Sequence, residues 1–353
     1  MLAGLKHLFS SLRHSASSNG QDVSSQSAKV STANSELPLQ TKKTIKQAPL
    51  NLKVIGDTYY RQLVGVTSLH HSPLNAHERE VLKQIDELIQ SQHKSATLIP
   101  RLPGVIPKLM TYLRVDDYNN KDIARLISSD PVLVAEVLRL ANSPYLRTST
   151  YSNNLDQAIF QLGHAGLREI IMSVALTPIM QFDKNFFHQE AASNISELSQ
   201  KAAAACRCLA TTANVDPFDA YVAGLMHNTG SIVVLRQLNQ VSKTLEMTRS
   251  KYFQHGVIKF ATQLSLMIAQ QWDLSDSVVT SLKEQIGSHR IRPSSSIGQV
   301  LELGIRIAQL HTLVSSGHYD DPSNLLAIVA KQPFGKNSVR AYNELDNSDS
   351  LQP

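Results

Sequence analysis

Residues 127–172 read ISSDPVLVAEVLRLANSPYLRTSTYSNNLDQAIFQLGHAGLREIIM, and this run predicts three helices and both of their connections. Asp130 followed by Pro131 is typical of a helix start, because the carboxylate accepts hydrogen bonds from unpaired backbone N–H groups and proline has no N–H to leave unpaired. Apolar residues then recur at helical spacing. The tetrapeptide ANSP at 141–144 ends this helix, since the residue before a proline is pushed out of the α region.

The second connection is equally well marked. Asn154 is placed to cap the next helix, with Gln157 positioned for the return bond of a capping box, and Gly163 is a natural left-handed helix ending. Two roles are open for Asn142 and Ser143. Their side chains tie the loop to the helices, which is the interpretation we favour, or they line a groove for a ligand or partner. The residues predict a compact three-helix unit and no activity.

The two segments DPVLVAEVLRLANSPY and AIFQLGHAGLREIIM together resemble the signature of the HDOD domain, the HD-related output domain of bacterial signalling proteins. The resemblance begins near Leu98 and continues to near Leu282. It implies an all-α, two-lobed helical domain: an N-terminal bundle of about five helices followed by a degenerate HD-like helical bundle. The combined pattern is more specific than any one of its motifs.

The run AYVAGLMHNTGSIVVL at 220–235 resembles the segment on which HD-superfamily phosphohydrolases carry an adjacent His-Asp pair. In those enzymes the pair and further histidines hold divalent metal ions that activate a water molecule. Here His227 is followed by Asn228. A neutral amide is a weaker metal ligand than a carboxylate, so this position loses both charge and affinity.

The other ligand positions that the resemblance implies also lack histidine. Leu198 stands where one ligand histidine would be, none occurs around 261–262, and Gln285 and Ile286 replace a histidine pair. A single imidazole cannot hold a catalytic metal. We therefore expect no catalytic residue, no metal and no cofactor.

His227 has a structural interpretation that we favour: an imidazole at a helix end that hydrogen-bonds a neighbouring backbone carbonyl. The alternatives are a vestigial ligand-binding role and a convergence of His255 and His289 on His227 in space. His164, which follows Gly163, is interpreted as a helix-terminus residue rather than a base.

The positive charge of the chain is concentrated at its N-terminal end. Seven Lys/Arg and two acidic residues in 1–54 account for the whole net charge of +5, so the rest of the chain is electrically balanced. A neutral body argues against a nucleic-acid partner, which would require a one-sided basic surface.

Cysteine usage and hydropathy indicate a soluble, cytoplasmic protein. Cys206 and Cys208, two residues apart on a predicted helix, point to different faces and are expected to be buried and reduced. No apolar run approaches the roughly 20 residues that a membrane span needs. We therefore expect no stable membrane insertion.

The chain divides into five predicted segments. Residues 1–14 within the first segment form a short amphipathic basic stretch, expected to be a frayed tip, with a membrane-surface anchor or docking helix as alternatives. The segments are a disordered arm at 1–54, a lead-in at 55–97 with a helix at 76–92, the HDOD domain at 98–290, a C-terminal helical part at 291–335 that packs on the HD-like lobe, and a disordered tail at 336–353.

No other catalytic signature is present: the sequence lacks GxSxG, GxxxxGK[ST], GxGxxG and HExxH. The favoured function is a non-catalytic regulatory module in bacterial signal transduction, linked by the resemblance to cyclic-di-GMP, motility or biofilm pathways. It would act on a signalling protein supplied in trans, with its oligomeric state left open. The alternatives are a metal-dependent HD-type phosphohydrolase of nucleotides and a small-molecule sensor that uses the groove between the lobes.

Overall fold

The computed structural model describes residues 52–63, 68–90, 105–113, 120–142, 151–180, 189–241, 250–286, 292–319 and 321–349. Within these ranges the regular structure is helical and contains no strand, which confirms the all-α prediction. The α-helices, in chain order, are α1 (Leu52–Leu63), α2 (Ala76–Gln90), α3 (Ile106–Leu113), α4 (Asn120–Ser128), α5 (Pro131–Ala141), α6 (Leu155–Met180), α7 (Gln189–Ala213), α8 (Pro217–Met226), α9 (Thr229–Val241), α10 (Lys251–Gln271), α11 (Asp276–Gln285), α12 (Ser296–Ser315), α13 (Ser323–Ala330) and α14 (Ser338–Asp349).

Helices α3, α4, α5 and the first part of α6 surround one hydrophobic core, the N-terminal lobe. The predicted caps are in place: Asp130 Oδ1 accepts a hydrogen bond from the Leu133 N–H at 3.3 Å, and Asn154 Oδ1 accepts one from the Gln157 N–H at 2.8 Å. The Gln157 side chain returns its bond to the N–H of Asn153, one residue earlier than expected. Local capping therefore fixes where α5 and α6 begin.

Gly163 divides α6 into two helical parts. Its φ of 60° and ψ of −173° confirm the predicted positive φ, but the ψ is extended rather than left-handed helical. This backbone region is essentially restricted to glycine. Beyond the kink α6 belongs to both lobes, because Ile170 and Ala175 lie in the first core whereas Met172 and Leu176 lie in the second.

The second core, the HD-like lobe, is built from α7 to α12. Helix α7 packs against α8 and α12, and α9 packs against α10. Cys206 and Cys208 lie in α7 and are free and buried, as predicted. Burial raises the pKa of the Cys208 thiol to about 11, so this thiol stays protonated near neutral pH.

The residues before the HDOD resemblance pack on the HD-like lobe, α1 against α12 and α2 against α10. Asn75 and Glu78 form a reciprocal capping box at the start of α2, with bonds of 2.7 and 2.8 Å. Helix α1 begins at Leu52, so the predicted end of the disordered arm at residue 54 is wrong. The reason is tertiary: Ile55 and Tyr59 are buried against helices far along the chain.

The predicted disordered tail at 336–353 is also wrong over most of its length. A short 3-10 helix at 335–337 leads into α14, which packs on α7 and α12. Ala341, Tyr342 and Leu345 of α14 are buried. A largely polar segment is thus held in place by one apolar stripe that finds a partner.

Several predictions fall on residues outside the described ranges. These include the arm before residue 52, the amphipathic stretch at 1–14, and Ser143. None of the helices in the described ranges is both long enough and apolar enough to cross a membrane.

Candidate functional site

His227 and Asn228 occupy the two-residue turn between α8 and α9. Asp216 caps α8 by accepting a hydrogen bond from the Asp219 N–H at 2.8 Å, and Pro217 occupies the first helical position. The N–H of His227 still bonds to Ala223 O at 3.1 Å. The turn is therefore a direct continuation of α8, which fixes the direction of the His227 side chain.

The His227 imidazole bonds to the helix end beneath it, as its structural interpretation expected. Its Nδ1 lies 2.5 Å from the carbonyl oxygen of Gly224, so Nδ1 carries the proton and donates it. Its Nε2 is buried and has no hydrogen-bond partner among the described residues. Burial lowers the pKa of His227 to about 4, with the bond to Gly224 opposing and the charge of Arg306 adding to this effect. The ring is neutral near pH 7.

The backbone of the turn is pinned by Ser265 of α10. The Ser265 hydroxyl donates to His227 O at 2.9 Å and accepts from the Gly230 N–H at 2.9 Å. In contrast, the side-chain nitrogen of Asn228 is buried without a hydrogen-bond partner in the part of the chain that the structure describes. Ser265 thus bonds to the backbone of the turn, whereas His227 Nε2 and the Asn228 amide nitrogen have no hydrogen-bond partner among the described residues.

The surrounding residues do not fit a metal ion. Leu198 is buried in the apolar core, and Gln285 donates its amide N–H groups to the backbone carbonyls of Ser281 and Gly298. No group of three or more His, Cys, Asp or Glu among the described residues could hold a metal. His289 lies outside these residues, so its convergence with His255 on His227 stays a prediction.

Arg306, on α12, is the site residue that the sequence reasoning missed. Its Nε is buried without a hydrogen-bond partner in the described ranges, whereas Nη1 donates to Gln309 Oε1 at 2.8 Å. Burial lowers the pKa of Arg306, and the nearby carboxylates of Glu302 and Asp57 raise it. The sequence offered little signal for it, because Glu302 and Gln309 lie on the same face of α12 and give Arg306 the pattern of an ordinary polar position.

Asn142 ties the end of α5 to Ser152, on the other side of residues 143–150, which lie outside the described ranges. Its amide nitrogen donates to Leu138 O and Ser152 O at 2.9 Å each, and its Oδ1 accepts from the Ser152 N–H at 2.8 Å. The Ser152 hydroxyl donates to Gln161, whose amide nitrogen donates to a backbone carbonyl of α5. This clasp, formed by Asn142, Ser152 and Gln161, agrees with the tying role favoured for Asn142.

Two aromatic side chains beside the clasp face solvent. Tyr151, directly before Ser152, is 62% exposed, and Phe160, directly before Gln161, is 85% exposed. Aromatic side chains are enriched in surfaces that bind other proteins.

A groove of about 410 Å³ lies between α6 and the helix starts of α8 and α11. The Arg168 guanidinium stacks 3.8 Å from the ring centre of Phe218, and the Ser275 hydroxyl donates to the Asp219 carboxylate at 2.9 Å. Burial raises the pKa of Asp219, while the bond from Ser275 lowers it. Charged and apolar side chains therefore line the groove together, with Arg168 and Asp219 beside Phe218 and Val222.

The fold and the substituted His-Asp position together define a class, the HDOD proteins. The chain belongs to this family, because its residues 99–286 match the HDOD domain. The predicted domain at 98–290 covers the same region.

The similarity extends to proteins from several bacteria. An uncharacterized protein of Treponema pallidum (strain Nichols) is 23% identical over 215 residues, which is 58% of this chain and only 40% of that protein's length. A Shewanella amazonensis SB2B structure with the provisional name metal-dependent phosphohydrolase has a TM-score of 0.54 at 17% identity, over 77% of this chain and 100% of that one. A Marinobacter aquaeolei VT8 structure with the provisional name signal transduction protein has a TM-score of 0.50 at 17% identity, over 83% and 70%. At this identity the two structures share the fold alone.

Proposed function

We propose that the chain is a non-catalytic regulatory module of bacterial signal transduction that acts in the cytoplasm through contacts with another signalling protein. The observation that carries the proposal is the pair His227 and Asn228, which we call the HD position because HD-type enzymes carry a His-Asp pair there. His227 is neutral and bonded to its own helix, Asn228 replaces the acid, and a buried arginine lies within electrostatic reach. A divalent cation would meet one lone pair and a positive charge there, which disfavours binding.

The family supports the signalling part of the proposal. Membership of the HDOD family implies an output domain of a bacterial signalling system. One structure of this fold also carries a signal-transduction name. The pathway that we propose is one of cyclic-di-GMP signalling, motility or biofilm formation, with the partner supplied in trans. The exposed Tyr151 and Phe160 supply the surface for this contact.

Metal analysis and hydrolysis assays test the non-catalytic part. Purified protein should contain no stoichiometric Mn, Fe or Zn, and should not hydrolyse bis-p-nitrophenyl phosphate, nucleotides or cyclic dinucleotides with added Mn²⁺ or Mg²⁺. An active HD-type phosphohydrolase serves as the positive control. Close to one metal per chain, or hydrolysis that disappears in His227→Ala, would show that the enzyme alternative is correct.

Partner capture from the native host tests the contact surface. Phe160→Ser should abolish capture of the partner while leaving the melting temperature unchanged, because an exposed side chain contributes little to folding. Tyr252→Ser, at an exposed aromatic on the HD-like lobe, is the matched control and should capture normally. Equal loss in both variants, or in neither, would contradict a contact at Phe160.

A substitution in the clasp distinguishes a role of Asn142 in stability from a role in partner recognition. Asn142→Ala removes three hydrogen bonds and should cost about 1–3 kcal/mol of unfolding free energy. If Asn142 only ties α5 to Ser152, binding of the partner should fall only in proportion to the folded fraction. Loss of binding at unchanged stability would instead make Asn142 part of the recognition surface.

A small-molecule sensor is the second candidate, and the groove at Arg168 and Asp219 favours it, because its volume suits a small ligand. A panel of nucleotides and cyclic dinucleotides should raise the melting temperature of the wild type but not that of an Asp219→Asn variant. If no compound of the panel raises the melting temperature of the wild type, the sensor alternative is wrong for these ligands.

A further inference from the structure

Two helices outside the matched HDOD region pack against each other. Helix α12, which carries Arg306, also packs against α8, and α8 leads directly into the His227 turn, while helix α1 packs along α12. Both helices lie beyond the 99–286 match. The environment of the HD position is therefore partly supplied by flanking parts of this chain.

Asp57 links charged side chains of three helices. Asp57 of α1 pairs with Lys251 of α10, with its Oδ2 at 3.5 Å from the lysine Nζ. The carboxylates of Asp57 and Glu302 both raise the pKa of Arg306. Asp57 thus faces one cation on α10 and another on α12, which joins α1 electrostatically to both.

The backbone of α1 lies directly on the guanidinium. A Cβ atom added to Gly56 would overlap Nη1 of Arg306, far inside contact distance. On either side of this contact α1 is anchored, since Ile55 and Tyr59 are buried and the Tyr59 hydroxyl donates to Asn194 O at 3.3 Å. Only glycine allows α1 to approach Arg306 this closely without displacing it.

We propose that Arg306 replaces the metal cation of HD-type sites and that helix α1 is a built-in lid closed over it. A guanidinium carries a permanent positive charge and cannot be exchanged or chelated away. It has no open coordination position, so it cannot activate water as a metal does. The inference rests on the proposed function, in which the site holds no metal. It adds that Arg306 supplies the positive charge there and that α1 covers it.

Carbethoxylation of histidines by diethyl pyrocarbonate, measured by peptide mass spectrometry, tests the lid. In the wild type, His227 should be labelled far more slowly than His77, which is exposed at the start of α2, because Nε2 of His227 is buried and its Nδ1 is bonded. Gly56→Leu should push α1 away and raise the labelling rate of His227 roughly tenfold or more.

The matched control is Ile123→Ala, a cavity in the N-terminal lobe. It lowers overall stability but should leave the labelling rate of His227 at the wild-type value under native conditions. Wild-type His227 labelled as fast as His77 would overturn the lid, as would an unchanged rate in Gly56→Leu.

Two substitutions test the charge. Arg306→Lys keeps a cation for Asp57 and Glu302, whereas Arg306→Met keeps most of the side-chain length and removes the charge. The lysine variant should therefore melt closer to the wild type, and the pKa of His227 measured by NMR should rise in the methionine variant only. A methionine variant that is as stable as the lysine variant, with an unchanged His227 pKa, would reduce Arg306 to a packing role and overturn the replacement.

The outcomes for the two proposals are separable. Metal found in the wild type would remove both the proposed function and the replacement by Arg306. Unaltered labelling in Gly56→Leu would remove the lid alone, because it says nothing about metal content or hydrolysis.

Discussion

At the scale of single residues, the environment of His227 makes stability depend on pH. The folded protein holds the His227 pKa near 4, below the ordinary 6.5, so between these values the unfolded chain binds more protons at this position. Stability therefore rises with pH through this window and is lost as pH falls from about 6.5 towards 4. The full loss is on the order of 3 kcal/mol.

Urea unfolding at pH 7 and at pH 4.5 checks this expectation. His227→Gln cannot protonate in this range, so it should lose less stability on acidification than the wild type. His77→Gln, at an exposed position, should retain the wild-type dependence. Parallel losses in all three proteins would mean that His227 is already accessible to protons in the folded state.

Gly163 provides a second prediction at this scale. Its φ of 60° is strained for a residue with a side chain, yet a Cβ atom added there would have no other atom within 4 Å. Gly163→Ala should therefore cost roughly 1–3 kcal/mol through backbone strain alone. Gly166→Ala, three residues on and in regular helix, should instead stabilise by roughly 0.5–1 kcal/mol. Thermal melts of both variants measure the difference, and equal effects would contradict the strain argument.

At the scale of helices, α14 shows how a polar sequence becomes ordered. Tyr342 is buried in the HD-like lobe, so Tyr342→Ala should cost about 3 kcal/mol or more. Val339→Ala, one turn earlier at a position that is 48% exposed, should change stability by less than about 0.5 kcal/mol. Denaturant midpoints of the two variants give the test. Similar small effects would indicate that α14 detaches readily.

The helices that the sequence predicted are those whose signals are local. Asp130, Asn154 and Gly163 act within three or four residues of themselves, so their roles can be understood without knowing the fold. Helices α1 and α14 were missed because each has only a short apolar stripe. Whether that stripe is buried depends on helices far away in the chain. Burial of Ile55 and Tyr342 is decided by α12 and α7, which local pattern cannot reveal.

The candidate site was predictable in part for the same reason. The substitution of the acid by Asn228 is visible in the sequence, and the bond from His227 to Gly224 follows from a helix end. Arg306 carries no motif, and its relation to His227 exists only after α8 and α12 are brought together. The sequence therefore shows that the acid is replaced by Asn228, but it does not reveal that Arg306 lies near His227.

At the scale of the whole molecule, α6 joins the two cores, because successive parts of its surface are buried in each. The single tryptophan, Trp272, is buried in the HD-like lobe and reports on that lobe alone. We expect tryptophan fluorescence and far-UV circular dichroism to give the same unfolding transition. Ile123→Ala, in the other core, should shift both signals together. Circular dichroism that is lost before fluorescence would show that the lobes unfold separately.

The packing of α1 on α12 also has a consequence for the newly made chain. Gly56 and Arg306 lie at nearly opposite ends of the described sequence, and synthesis proceeds from the N-terminus at roughly 5–20 residues per second, so α1 waits roughly 10–50 s for its partner. Throughout that interval Ile55 and Tyr59 have no α12 to cover them. The ribosome thus releases this helix long before its binding surface exists, and chaperones have that time to engage it.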